Sequence, residues 1–187
     1  MAGILKVDKY QDFNGNDIMT SDGSGNLTLN NSALKMTPAF HVNLSSDQSV
    51  TDSTYTKVQF DRKGFDTNSA YDNSTNYRFT VPSGQAGKYH FYFNILTAAT
   101  AVSVGEQFVG SFYLNGSSRG LFYGGDTRNN PGTKFTSYGN ITLDLSVGDY
   151  VEVFGMVNIT SASANISSGG TSRPDESCFG GYKIIGA

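Results

Sequence analysis

The pentapeptide Gly116-Ser117-Ser118-Arg119-Gly120 has the Gly-x-Ser-x-Gly spacing of a nucleophile elbow. That chemistry needs a strand before the turn and a helix after it, so that the serine hydroxyl stands out from the end of a sheet. Here strand-like runs flank the pentapeptide on both sides, and Asn115-Gly116 reads as a hairpin tip. The reading is a turn, not an acyl-transfer site. The two histidines, His41 and His90, both fall in runs that alternate like strands, so a packed face or an interface is expected for each. A base or metal ligand would need partners at defined geometry. Asp12-Phe-Asn14-Gly-Asn16-Asp17 and Asp22-Gly-Ser24-Gly-Asn26 alternate oxygen donors as a Ca²⁺ loop does. Neither carries the bidentate Glu that completes an EF-hand loop, so turn chemistry is expected and no cofactor is assigned. A glycan hydrolase would need a carboxylate pair about 5–10 Å apart in a cleft, and no pair stands out. The expectation is a protein that is not an enzyme.

Recognition chemistry is easier to place than catalysis. The polar stretches Gly124–Gly132 and Ser161–Asp175 are the longest predicted loops, and Tyr123, Arg128 and Arg173 are their ligand-binding candidates. Arg and Tyr carry much of the binding energy at protein interfaces. Charged residues make up 16% of the chain, the net charge is −3, and there is no basic stripe, so nucleic-acid binding is not expected. Cys178 is the sole cysteine, which excludes an intrachain disulfide; a buried small hydrophobe is expected there. The first residues show no charged segment followed by an apolar run, so neither a secretory signal nor membrane insertion is expected. Asn73-Ser-Thr75 and Asn140-Ile-Thr142 are then read as composition rather than glycosylation sites.

The elements that hold these residues are strands. Gly87-Lys-Tyr-His-Phe-Tyr-Phe-Asn-Ile-Leu96 is the clearest: Tyr89, Phe91, Phe93 and Ile95 form one apolar face, and His90, Tyr92 and Asn94 lie on the other. The second face is half polar yet bulky, which predicts that it too meets protein. Further strands are predicted at 39–44, 55–60, 77–81, 107–114, 119–123, 150–157 and 178–185, with a strand-pair region at 134–145. Thr97–Gly105 is read as a loop. Residues 1–35 hold turn signals and two short strand-like runs but too few apolar residues for a core of their own, so docking on something else is expected to order them. The domain boundary is placed at Thr37-Pro38, with an attachment segment at 1–37 and the main domain at 38–187.

Within that domain the spacing becomes specific. Phe60, Asp66 and Tyr71, then Phe79, then Gly87-x-Tyr89-x-Phe91-x-Phe93 resemble the globular-head signature of complement component 1q, within the tumour necrosis factor-like jelly-roll family. The gap from Tyr71 to Phe79 is one residue longer than the family's, and that from Phe79 to Gly87 is two longer; both excesses fall in turns. Val147-Gly-Asp149-Tyr-Val151 resembles the family's Gly-Asp turn, and Cys178-Phe179-Gly-Gly-Tyr182-Lys-Ile-Ile185 its final strand.

The resemblance implies an all-β, ten-stranded antiparallel jelly-roll sandwich that packs as a homotrimer. Phe60, Tyr71, Phe79, Tyr89, Phe91, Phe93, Phe179 and Tyr182 would fill the core, and His90, Tyr92 and Asn94 would face sister subunits. It implies a binding module, with an ion on the threefold axis near Asp144, Asp149 or Gly124–Asn130 as an unsupported extra. The family's collagen stalk is absent; no Gly-x-y repeat occurs. In residues 1–35, Lys6-Val7-Asp8 precedes Ser21-Asp22-Gly23-Ser24-Gly25-Asn26-Leu27-Thr28, and the stretch resembles instead the short N-terminal pieces of bacteriophage structural proteins. The expectation is therefore a virion protein made in the host cytoplasm: a head fibre, decoration knob or tail-fibre tip. Residues 1–35 would contact other virion proteins, and the head would contact a host-surface glycan or protein. The alternative is a free, lectin-like bacterial or host module that binds carbohydrate or protein.

Overall fold

The computed structural model describes residues 6–30, 37–99, 107–126, 134–159, 163–170, 172–173 and 175–184. Everything regular in it is β. Among the described residues no helix is long and apolar enough to cross a membrane.

The N-terminal residues form a three-stranded antiparallel sheet of β1 (Lys9–Gln11), β2 (Asp17–Ser21) and β3 (Leu27–Leu29). Its two turns use one device. The Asp12 carboxylate accepts the backbone N–H groups of Asn14 and Asn16 and the side-chain amide of Asn16. Asp22 does the same with Ser24 and Asn26. A third copy, Asp72 with Ser74, Thr75 and Asn76, makes a turn in the main domain. These bonds favour the charged carboxylate and hold all three acids below the usual range.

The main domain has thirteen strands among the described residues, in two sheets, where ten were expected. The larger sheet contains β4 (Ala39–Asn43), β5 (Gln48–Val50), β7 (Arg62–Asp66), β10 (Gly87–Ala99), β13 (Lys134–Leu145), β15 (Ala164–Ile166) and β16 (Cys178–Lys183). The smaller contains β6 (Thr56–Lys57), β8 (Tyr71–Asp72), β9 (Arg78–Thr80), β11 (Gln107–Leu114), β12 (Ser117–Asp126) and β14 (Tyr150–Asn158).

β10 is the axis of the larger sheet. One edge pairs with β13 from Gly87–Leu145 to Ala98–Lys134, and the other pairs first with β16 and then with β15. It therefore runs on through Thr97–Ala99, where a loop was expected, because β15 supplies the ladder partners. β15 itself lies inside the expected long polar loop, held by buried Ile159, Ala164 and Ile166. Residues 134–145 form one uninterrupted strand. The expected strand at 55–60 has only a two-residue ladder, yet Val58 and Phe60 are fully buried and anchor the segment by packing.

The alternate residues Tyr89, Phe91, Phe93 and Ile95 point between the sheets. They meet Phe40, Phe79, Phe112 and Phe179 in a continuous aromatic cluster; the Phe93 and Phe112 ring centroids are 4.8 Å apart, edge to face. Burying each such ring contributes roughly 1.5–3 kcal/mol. Phe60, Tyr71, Phe79, Phe91, Phe93 and Phe179 all lie in this core. Tyr182 does not. Strand parity turns Phe179 and Gly181 inward, so Tyr182 is half-buried on the outward face, packed against His90.

One edge of the sandwich is closed by β12 and β13. Buried Ser137 accepts the Gly110 N–H at 2.9 Å and donates to the Phe122 carbonyl, tying the larger sheet to the smaller. Phe122 lies over Gly139, where a Cβ would come within 2.7 Å of the ring.

Candidate binding surfaces

Each sheet buries one face in the core, so any recognition surface lies on the opposite faces or the loops. Cross-strand pairing sets the outward face of the larger sheet. One row runs Phe65, His41, Gly180, Tyr92, Asn140, and the next runs Arg62, Asn43, Cys178, Asn94, Tyr138. Tyr138 is 74% exposed and Phe65 is 52% exposed.

Between them the three predicted interface residues are half-buried by their own protomer. The Tyr92 ring lies over Gly180, and its hydroxyl is 3.0 Å from His41 Nδ1. His41 Nε2 is 3.4 Å from the Asp175 carboxylate, which also accepts the Asn43 amide at 2.6 Å. Asn94 donates to the Glu176 carbonyl, and His90 Nδ1 lies 3.2 Å from the Thr142 hydroxyl. Tyr92, His41 and Asp175 thus form a hydroxyl–imidazole–carboxylate line. Burial raises the Tyr92 hydroxyl pKa, the wrong direction for a base or nucleophile. The Asn43 amide, followed by His41, holds the Asp175 carboxyl below its usual value. The line acts as a clasp across β10, β16 and β4.

The outward face of the smaller sheet is aromatic too. The Tyr113 and Phe154 ring centroids are 4.1 Å apart, and Lys57 stands over Phe154 while pairing with buried Glu152 at 2.5 Å. Tyr55 is close enough to Tyr113 and Tyr123 to feel both hydroxyls; burial first, then these neighbours, raises its pKa. Tyr123, 61% exposed on the edge strand β12, is therefore part of a tyrosine patch rather than of a loop. Single-strand alternation does not reveal that patch, since it is assembled from β11, β12 and the segment before β6.

The remaining candidates are scattered. Arg173 pairs with Glu176 at 2.9 Å in the turn before β16, on the larger sheet and so apart from Tyr123. Arg128 and most of Gly124–Asn130 lie outside the described residues. Asp149 caps its turn through Asn115 and the Ser146 N–H, and Asp144 stands 3.9 Å from Lys88. Ser118 follows a two-residue turn, Asn115 and Gly116 at positive φ, and enters a strand; its hydroxyl meets that of Ser111 at 3.0 Å. The helix that a nucleophile elbow requires is replaced by β12. Among the described residues, no group of three or more His, Cys, Asp and Glu side chains is arranged to hold a metal. Cys178 is buried, and burial pushes its thiol pKa up to about 11, so it is unreactive.

No protein-family model matches the sequence. No curated protein matches it either. Solved structures do match in fold. The globular domain of zebrafish complement 1qA protein superposes with a TM-score of 0.52 at 19% identity, covering 79% of this chain and 97% of that one. Murine APRIL, in the crystal structure at pH 8.0, gives 0.51 at 17% identity, covering 78% and 98%. Eiger TNF from S. frugiperda gives 0.51 at 14% identity, covering 80% and 93%. The chain therefore has the complement-1q and tumour necrosis factor-like jelly-roll fold.

Proposed function

We propose that this chain is the subunit of a homotrimeric, non-enzymatic binding module, carried as an exposed knob on a bacteriophage virion. The observation that carries the trimer is the outward face of the larger sheet. Exposed Tyr138 and Phe65 flank the half-buried Tyr92 and Tyr182 there, and a ring-rich face of this kind is expected to be covered by protein. The fold neighbours support the same reading. Tyr138 is the cleaner site to test, because Tyr92 also holds the His41 clasp of its own protomer.

Sedimentation equilibrium at micromolar concentration should show a trimer. Tyr138→Asp should shift it to monomer while the β-sheet circular dichroism is unchanged. A wild-type monomer would overturn the proposal.

The virion placement rests on residues 1–37. They hold a small sheet with Tyr10, Phe13 and Leu27 exposed, a surface for other virion proteins to cover. A second reading, a free lectin-like module, is favoured by the aromatic residues outside the core on the smaller sheet, where the Tyr113 ring packs on Phe154 and Tyr55 and Tyr123 are exposed. Mass spectrometry of purified virions separates the two: the chain is present in the first case and absent in the second.

A further inference from the structure

A cleft opens where the loop after β4, the segment between β6 and β7, and the residue before β9 meet. It has a volume of about 130 Å³, is open on one side, and is lined by Asp47, Gln48, Gln59, Asp61 and Tyr77 among others. Most of its polar groups are fixed by the chain. Asp47 accepts the N–H and hydroxyl of Ser168. Asp61 accepts the N–H and hydroxyl of Ser45, and its carbonyl accepts the Asn73 amide. The Gln48 amide bridges the Lys57 carbonyl and the Gln59 N–H. Three side-chain groups of the lining are uncommitted among the described residues: the Ser46 hydroxyl, the Gln59 carboxamide and the Tyr77 hydroxyl. Tyr77 is held at φ +49°, a left-handed conformation that an aromatic residue rarely adopts.

We infer that this cleft is a saccharide subsite that takes the terminal ring of a neutral glycan. Carboxylates already oriented by chain donors keep lone pairs free to accept sugar hydroxyls in charge-assisted bonds. The Gln59 amide can both donate and accept, and an aromatic face suits the C–H face of a pyranose. Two carboxylates repel an anionic sugar. The cleft takes part of one ring, and its open side leaves room for the rest of the ring and of a glycan. The inference deepens the binding-module reading and rests on it. All of its residues come from one protomer, however, so the sedimentation test and the sugar test fail independently.

The test is a chemical-shift titration of the full chain with methyl galactoside, methyl glucoside, methyl N-acetylglucosaminide and, as an anionic control, N-acetylneuraminic acid. At least one neutral glycoside should bind with a dissociation constant on the order of 1 mM and shift the Tyr77 ring resonances. Gln59→Ala and Tyr77→Gly should each weaken it about tenfold; glycine adopts the left-handed conformation freely, so the second variant keeps the fold. Tyr123→Ala should leave it unchanged. The inference is overturned if no neutral glycoside saturates below about 100 mM. It is equally overturned if both variants bind as wild type does, if the anionic sugar binds best, or if CaCl₂ alone produces the Tyr77 shifts.

Discussion

Tyr71 shows how one atom can be misplaced inside a well-placed side chain. Its ring packs against Phe40 and Phe179, but its hydroxyl is buried with no hydrogen-bond partner, and burial drives its pKa far above the ordinary tyrosine value. Tyr89, by contrast, donates to the Gln85 carbonyl at 2.6 Å. Removing an unsatisfied buried hydroxyl recovers a desolvation cost, whereas removing a satisfied one strands its acceptor. Tyr71→Phe should therefore stabilise the protein by about 1 kcal/mol, and Tyr89→Phe should destabilise it by a similar amount. Urea midpoints of the two variants check this, and a lower midpoint for Tyr71→Phe would contradict it. Both positions read as core aromatics from spacing alone. The difference between them was not legible, because it depends on whether a backbone carbonyl four residues away turns back toward the ring. Tyr182 was misread for a related reason: parity with Phe179, not hydrophobicity, decides its face.

At the scale of elements, close approach between strands depends on glycines that periodicity does not mark. Gly110 of β11 lies directly beneath the Phe93 ring, and a Cβ there would collide with two ring carbons and crowd Ser137. Gly110→Ala should cost roughly 1–3 kcal/mol through displacement of Phe93, seen as a lower thermal midpoint. Gly84→Ala makes the contrast: it meets no atom within 4 Å but carries φ +72°, so its cost would be conformational rather than steric. Long alternating strands such as β10 and β14 were legible because one face of each is continuously apolar. β5 and β15 were not. They are short ladders formed only because a neighbour presents an open edge, and no local pattern encodes that edge. The tyrosine patch and the polar cleft were illegible for the same reason, since each is gathered from segments distant in sequence.

At the scale of the molecule, the N-terminal sheet is bonded internally: Lys9 pairs with Asp17, and the Ser21 N–H returns to the Asp8 carbonyl. Removing residues 1–37 should then leave a head that melts within a few degrees of the full chain and keeps its oligomeric state. That truncated head should be missing from purified particles. Calorimetry and mass spectrometry of the particles read the two halves of this prediction, and full incorporation would sink the attachment role. A different consequence follows from β16, the last strand among the described residues, which lies between β4 and β10 and hydrogen-bonds to both. On a ribosome, β4 and β10 are made long before their shared neighbour emerges. Until then Phe40 and Phe91 lack the Phe179 ring that packs on both. The head therefore cannot close until β16 has emerged; in that interval the edges of β4 and β10 stay open, which exposes the nascent chain to aggregation.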